Sequence, residues 1–329
     1  MDGTGNKRLL NMYILNILRE FSDENHALTQ QDILKQLESD YDVICDRRTV
    51  KAYVDEWIEL GWDIVYDKGY KMISREFDDA ELRILIDSIL FSKSISTRQA
   101  QTLIKKLQGF ASKYFNAKVS HVCNLPDLNR TVNRQAMYAL GIINDAISAK
   151  KKIEFIYNEM GTDFKLHPKR KDPYVVNPYQ IVANNGKFYL IANYDKYDNV
   201  VHFRIDKMKE IKCLNESIKP RSEVPELANG LNLPKHMAEH IYMFSGESVW
   251  AEIKTTPDMM GELVDWFGKD FKIEQKEDGY IIIRVKCNGN ALRYWALQYG
   301  PYVEILKPVK LREQLKQDAE NMYRKYSDQ

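Results

Sequence analysis

Two imidazoles and a carboxylate stand at metal-binding spacing in His236-Met237-Ala238-Glu239-His240. The pattern H-x-x-E-H sets two histidines about one helical turn apart with a glutamate between them, as in inverted zinc proteases. Here the motif falls on a short helix between Pro234 and Ser245-Gly246, and no third ligand stands at a recognisable spacing. A zinc hydrolase working through His236, Glu239 and His240 is therefore the remote alternative; no metal or cofactor is expected. No Walker loop, Gly-rich dinucleotide fingerprint or G-x-S-x-G elbow occurs either, so the chain is read as a non-enzyme.

A second chemistry is phosphate and base contact. Arg47, Arg48, Thr49 and Lys51 cluster at the start of a helix that follows Asp46, and Lys68 and Lys71 flank Gly69 a short way on. On a helical wheel the apolar stripe Val50, Val54, Trp57 and Ile58 faces inward. Arg48 and Lys51 then face outward at the N-terminal end, while Asp55, Glu56 and Glu59 occupy the outer face further along. Recognition helices present their N-terminal residues to DNA, and the helix dipole there favours phosphate. This placement answers the local charge, since residues 1–75 hold 10 basic and 14 acidic side chains.

A third set lies mid-chain, where residues 131–220 carry 15 basic and 10 acidic side chains interleaved with aromatics. Basic groups attract phosphate and aromatic faces stack on bases. Tyr189, Arg204, His202, Gln180 and Tyr179 are the candidate pocket residues, with His167, Lys169, Arg170 and Lys171 as a basic rim.

The elements that position these groups follow from periodicity. Leu10, Ile14, Ile17, Leu18 and Phe21 predict one helix; Thr29 with Asp32 caps a second carrying Ile33, Leu34 and Leu37; Gly61 ends the third. Ile64 to Ile73 reads as a hairpin around Gly69, so residues 1–75 form a winged helix-turn-helix. Residues 76–130 form a helical connector, with Asp78 and Glu81 opening one helix and another beginning near Thr97. After a helix bearing Ala136, Leu140, Ile143 and Ile147, short β-rich runs at 153–157, 179–183, 188–192 and 200–205 suggest a small barrel over 131–217. Asn184-Asn185-Gly186 is a strong hairpin turn within it. Pro220, Pro225 and Pro234 mark a linker over 218–246, and 247–329 alternates in the order βαββαβ, which is ferredoxin-like. The fold class is thus α+β and multidomain.

With 329 residues and 44% apolar content, several cores can be buried. Net charge is +1, so local rather than global charge must draw nucleic acid. No stretch approaches eighteen uninterrupted apolar residues and the N-terminus lacks a signal-peptide core, which predicts a cytoplasmic protein with no membrane partner. Cys45, Cys123, Cys213 and Cys287 lie far apart, as expected of reduced, mostly buried thiols.

Arg47-Arg48-Thr49-Val50, Gly61 and Lys68-Gly69-Tyr70 resemble the recognition helix and wing of bacterial transcription regulators that carry a WYL domain. Members often have Arg-Asp where this chain has Ala52-Tyr53. Phe188-Tyr189-Leu190 stands where the family has Trp-Tyr-Leu, and His202-Phe203-Arg204-Ile205-Asp206-Lys207 resembles its later strand, with Val201 and Lys207 where arginines are common. Trp295-Ala296-Leu297-Gln298-Tyr299-Gly300 and Lys307-Pro308 resemble the C-terminal WCX extension. The resemblance implies an Sm-like or SH3-like β-barrel with a pocket that senses a nucleic acid fragment, nucleotide or related anion. It also implies a ligand-responsive regulator, read here as a repressor; because one winged helix gives few base contacts, a homodimer on a double-stranded inverted-repeat operator is expected. The competing reading is an adaptor that binds RNA or a protein through the barrel.

Overall fold

Leu10, Ile14, Ile17 and Leu18 recur at helical spacing, and they are buried along one side of α1 (Leu10–Phe21). Helix α2 (Gln30–Tyr41) opens with a capping box: Thr29 Oγ1 accepts from Asp32 N at 3.2 Å, and the Asp32 carboxylate accepts from Thr29 N at 3.0 Å. Thr29→Ala should cost about 1 kcal/mol of stability, read as a lower urea midpoint at unchanged slope. Asp46 caps α3 (Arg47–Glu59), accepting from the backbone N–H of Arg48 and Thr49 at 2.8 and 2.9 Å. Gly61, at φ +93°, lets the chain leave the helix. Val50, Val54 and Trp57 face inward as expected, but Ile58 is 43% exposed because it lies about 100° round the helix from Trp57.

Strands β1 (Ile64–Tyr66) and β2 (Tyr70–Met72) form a short antiparallel hairpin that packs with these helices on one core, in which Ile33, Leu37 and Met72 are also buried. Gly69 passes so close to Leu28 that a Cβ there would meet the Leu28 carbonyl oxygen at 2.7 Å. A second core is built by α4 (Asp79–Phe91), α5 (Thr97–Gln108) and α6 (Lys113–Cys123), with Leu82, Ile86, Ile104, Phe115 and Val119 inside. The structure describes residues 6–123, 133, 135–275 and 279–327, in a computed structural model that divides into two units, Met1–Val132 and Asn133–Gln329. The expected boundary at 130/131, residues 1–5 and the Cys123 side chain lie outside the described positions.

In the second unit, α7 (Ala136–Ser148) precedes β3 (Lys151–Met160), β4 (Leu166–Pro168), β5 (Tyr174–Asn184), β6 (Lys187–Asn193), β7 (Val200–Arg204) and β8 (Met208–Ser217). The antiparallel order is β8-β3-β5-β6-β7, with β4 paired to the far end of β3. Sequence periodicity locates the middle of this sheet but not β4 or β8. The expected closed barrel is a curled half-barrel: among the described ladders none joins β7 to β8. The 3-10 turn Ile205–Lys207 carries the chain from β7 onto the edge of β3 instead.

One face of the sheet packs on α7, burying Ile143, Phe155, Val176, Leu190 and Phe203. The other face buries Tyr179, Val182, Ile191 and Val200 against Val224, Leu227 and Met243. The proline-marked stretch 218–246 is thus packed along the sheet, and it contains α8 (Leu233–Glu239). Beyond it come β9 (Ser248–Thr255), α9 (Met260–Phe267), β10 (Lys272–Gln275), β11 (Ile281–Asn288), α10 (Gly289–Gln298), β12 (Val303–Lys307) and α11 (Val309–Ser327). The strands are antiparallel in the order β10-β11-β9-β12, over a core centred on Ile253, Leu263, Ile283 and Trp295.

Among the described residues no helix is long and apolar enough to cross a membrane. Of the three cysteines whose side chains are described, Cys287 is buried, Cys45 is half-buried and Cys213, on the edge strand β8, is exposed.

Candidate functional site

The side chains expected to meet DNA share one short region of the first unit. Arg47, Arg48 and Lys51 are exposed at the N-terminal end of α3, and Thr49 is half-buried beside them. Lys51 pairs with Asp55 at 2.7 Å, and Lys71 with Asp67 at 3.0 Å across the hairpin turn. Lys68 is exposed in the left-handed conformation at φ +58°. The Lys51 pair is exposed at both ends, so that lysine can exchange its carboxylate for a phosphate at little cost.

In the second unit the structure separates the expected pocket residues. Tyr189 and Arg204 are cross-strand partners on β6 and β7, half-buried on the same sheet face. Arg204 grips the buried Asp206 through Nε at 3.1 Å and Nη2 at 2.7 Å, and Lys187 reaches the same carboxylate at 3.5 Å. The backbone N–H of Arg204 donates to Tyr157 Oη at 3.2 Å. Burial pushes the Tyr157 hydroxyl up to about 12 against the opposing influence of Arg204, and it also raises Tyr189. Lys207 is lowered by burial and by the Arg204 charge. Arg204, Lys187, Lys207, Tyr157 and Tyr189 thus form a polar, net-positive patch. Asp206, Lys207, Lys187 and Tyr157 are not among the pocket candidates that sequence reasoning names, although Asp206 and Lys207 stand in the motif that resembles the family's later strand.

The other candidates lie elsewhere. Tyr179 is core: it is 1% exposed, its hydroxyl donates to the Lys219 carbonyl at 2.8 Å, and burial pushes its pKa up to about 12. Gln180 is half-buried, with its amide 3.4 Å from the Ile181 carbonyl. The rim is exposed and largely engaged within itself. His167 meets Asp163 at 2.9 Å, Lys169 pairs with Glu159 at 2.7 Å, and Arg170 stacks 3.6 Å over the Tyr174 ring, with Lys171 exposed beside it. A depression of about 270 Å³ in this unit is lined by Asn184, Met237, Ile241 and Trp266 and includes none of the expected pocket residues.

His202 parts from its supposed pocket partners. Its Nε2 lies 2.9 Å from His236 Nε2, and the tilted His240 ring has its centroid 4.8 Å from that of His202 and 4.5 Å from that of His236. The sequence motif therefore does acquire a third imidazole, from β7, which no spacing along the chain reveals. Burial first, then the neighbouring imidazoles, lower His202 to about 2, and burial lowers His236 to about 4, so both rings are neutral. Glu239, between the two motif histidines, instead pairs with Lys286 on β11 at 3.2 Å.

Comparison with known proteins adds two domain assignments. The family model of the WYL domain matches residues 138–213, and that of the WCX domain matches residues 247–323. The chain thus contains a WYL domain and, C-terminal to it, a WCX domain. Among solved structures it is similar to proteasome accessory factor B/C (PafBC) of Arthrobacter aurescens, at 14% identity and a TM-score of 0.32 over 95% of this chain and 48% of that one. The chain therefore spans about half the length of that relative. It is also similar to a structure described as a CRISPR Cas-related protein, at 13% identity and a TM-score of 0.40 over 97% of this chain and 84% of that one. No curated protein matches the chain significantly.

Proposed function

We propose that the protein is a DNA-binding transcription regulator, acting as a repressor in the cytoplasm, whose WYL domain senses a nucleic acid fragment, nucleotide or related anion. The observation that carries this reading is the exposed Arg47, Arg48 and Lys51 set at the capped start of α3, beside a basic hairpin and in one chain with a WYL domain. Residues 1–75 act as a winged helix, 76–130 as a helical connector, 131–217 as the sensor, and 247–329 as a ferredoxin-like WCX domain joined through 218–246. In the sensor the patch of Arg204, Lys187, Lys207 and Tyr189 offers cations for phosphate and an aromatic face for a base. Tyr189 and Arg204 are the proposed contacts, with His167, Lys169 and Arg170 as the outer rim.

One winged helix makes too few base contacts for useful selectivity, so the regulator works as a symmetric homodimer on an inverted repeat, with half-site centres about 10 bp apart or a multiple of that. Titration of the chain with its own upstream region and with random duplex tests this. A regulator should prefer its operator by roughly a thousandfold or more at fixed salt. Equal affinity for both duplexes, or a monomer bound to a single asymmetric site, would overturn the reading in favour of an adaptor.

A further inference from the structure

We propose that His202, His236 and His240 form a structural binding site for a divalent transition-metal ion of the zinc class, with Glu226 as the fourth donor. The three residues each offer a ring nitrogen, and these atoms all lie within 4.8 Å of one another. Tetrahedral zinc with donors at about 2.0–2.1 Å requires them roughly 3.3 Å apart, so small side-chain adjustments convert the observed cluster into a coordination shell. His236 and His240 sit on consecutive turns at α8 and are buried, while His202 reaches them from β7.

The surroundings fit ligation at His240. His240 Nδ1 lies 3.0 Å from the Phe244 carbonyl, to which it can only donate, and this leaves Nε2 as the ring's remaining ligand atom. That nitrogen is 3.5 Å from Glu226 Oε2, whose carboxylate also accepts from Val200 N at 3.3 Å. Metal-bound histidines characteristically carry such a second partner on the other ring nitrogen. His202 Nδ1 is buried and makes no hydrogen bond, and the His202 backbone is anchored by Ser245 Oγ accepting at 3.0 Å. His202 Nε2 and His236 Nε2 face each other at 2.9 Å, which turns two potential ligand atoms toward one point.

Ligand type favours zinc, since three imidazoles and one carboxylate with no thiolate suit a borderline ion. The position of Glu239 argues for a structural role, because the motif's only acid faces Lys286 and leaves the cluster without a general base at that position. The ion fastens α8 to β7, while the Glu239 pair with Lys286 fastens the same helix to β11. Metal therefore fixes the WYL sheet against the WCX sheet within this unit.

The test uses the untagged full-length chain, stripped with a chelator, dialysed, and titrated with Zn(II) against a competing dye. The expected result is one equivalent bound with submicromolar affinity, and Co(II) in its place giving the intense visible bands of a four-coordinate site. His202→Gln and His240→Gln should weaken zinc binding roughly a hundredfold or more, and Glu226→Gln roughly tenfold, while Glu239→Gln should leave it unchanged. A folded parent chain that holds no stoichiometric zinc overturns the proposal without recourse to any variant. So do folded histidine variants that bind zinc as the parent does. No arm involves DNA, so the outcome is independent of the regulatory reading.

Discussion

Replacing Arg48 and Lys51 together by alanine should lower operator affinity at least about a thousandfold, because the proposed symmetric dimer would forgo each interaction twice and each base-edge contact is worth roughly 1–3 kcal/mol. Fold should be spared. Both residues are exposed, alanine is the best helix former, and the ion pair given up, Lys51 with Asp55, is a solvated one. Asp46 still caps α3 through backbone N–H groups that the substitutions leave in place. The salt dependence separates base from phosphate recognition: the slope of log affinity against log salt should flatten by about 0.9 for each phosphate no longer neutralised. Electrophoretic mobility shifts at several salt concentrations, with circular dichroism as the folding control, provide the measurement. A folded variant whose affinity and slope match the parent would remove α3 as the reading helix.

How much of the fold and site is legible in the sequence depends on whether a group's partners are local. Thr29 with Asp32, Asp46 before α3, and the stripe of Val50, Val54 and Trp57 are all set by residues within a turn or two, and they stand where periodicity places them. Ile58 misleads because an apolar type one position beyond the stripe looks like its continuation, although the helix has already turned it outward. Failures over longer range are of another kind. Strand β8 alternates too weakly to read, with most of its side chains exposed, and its place is fixed by the ladder to β3. Tyr179 and His202 have the residue types of a nucleotide pocket, yet their environments come from Lys219 and from α8, both distant in sequence. The prolines of 218–246 suggest a linker, and within that stretch Val224, Leu227 and Met243 pack on the sheet through contacts no local pattern reveals.

Arg204→Ala should destabilise the protein by about 3–5 kcal/mol, because it leaves a nearly buried carboxylate without its main counter-charge. Asp206 is 4% exposed and takes two charge-assisted hydrogen bonds from the guanidinium; Lys187 stands further off at 3.5 Å, and Lys207 also interacts with the carboxylate. The arginine is also half the proposed sensing pair, so its loss confounds sensing with folding. Asp206→Asn in the same chain should recover most of the lost stability, since the buried group then carries no charge, and the coupling between the two substitutions should exceed about 1 kcal/mol. Urea denaturation of the two single variants and the double variant measures this directly. If Arg204→Ala unfolds within about 0.5 kcal/mol of the parent, the pair with Asp206 is an ordinary surface contact. Sensing is then read at Tyr189, which is half-buried with no charge to strand. Tyr189→Ala should retain operator affinity while a titration of nucleotides or short oligonucleotides no longer changes it, because an effector acts only through its differential affinity for the two states. A folded Tyr189→Ala chain that still responds like the parent would place the effector away from this patch.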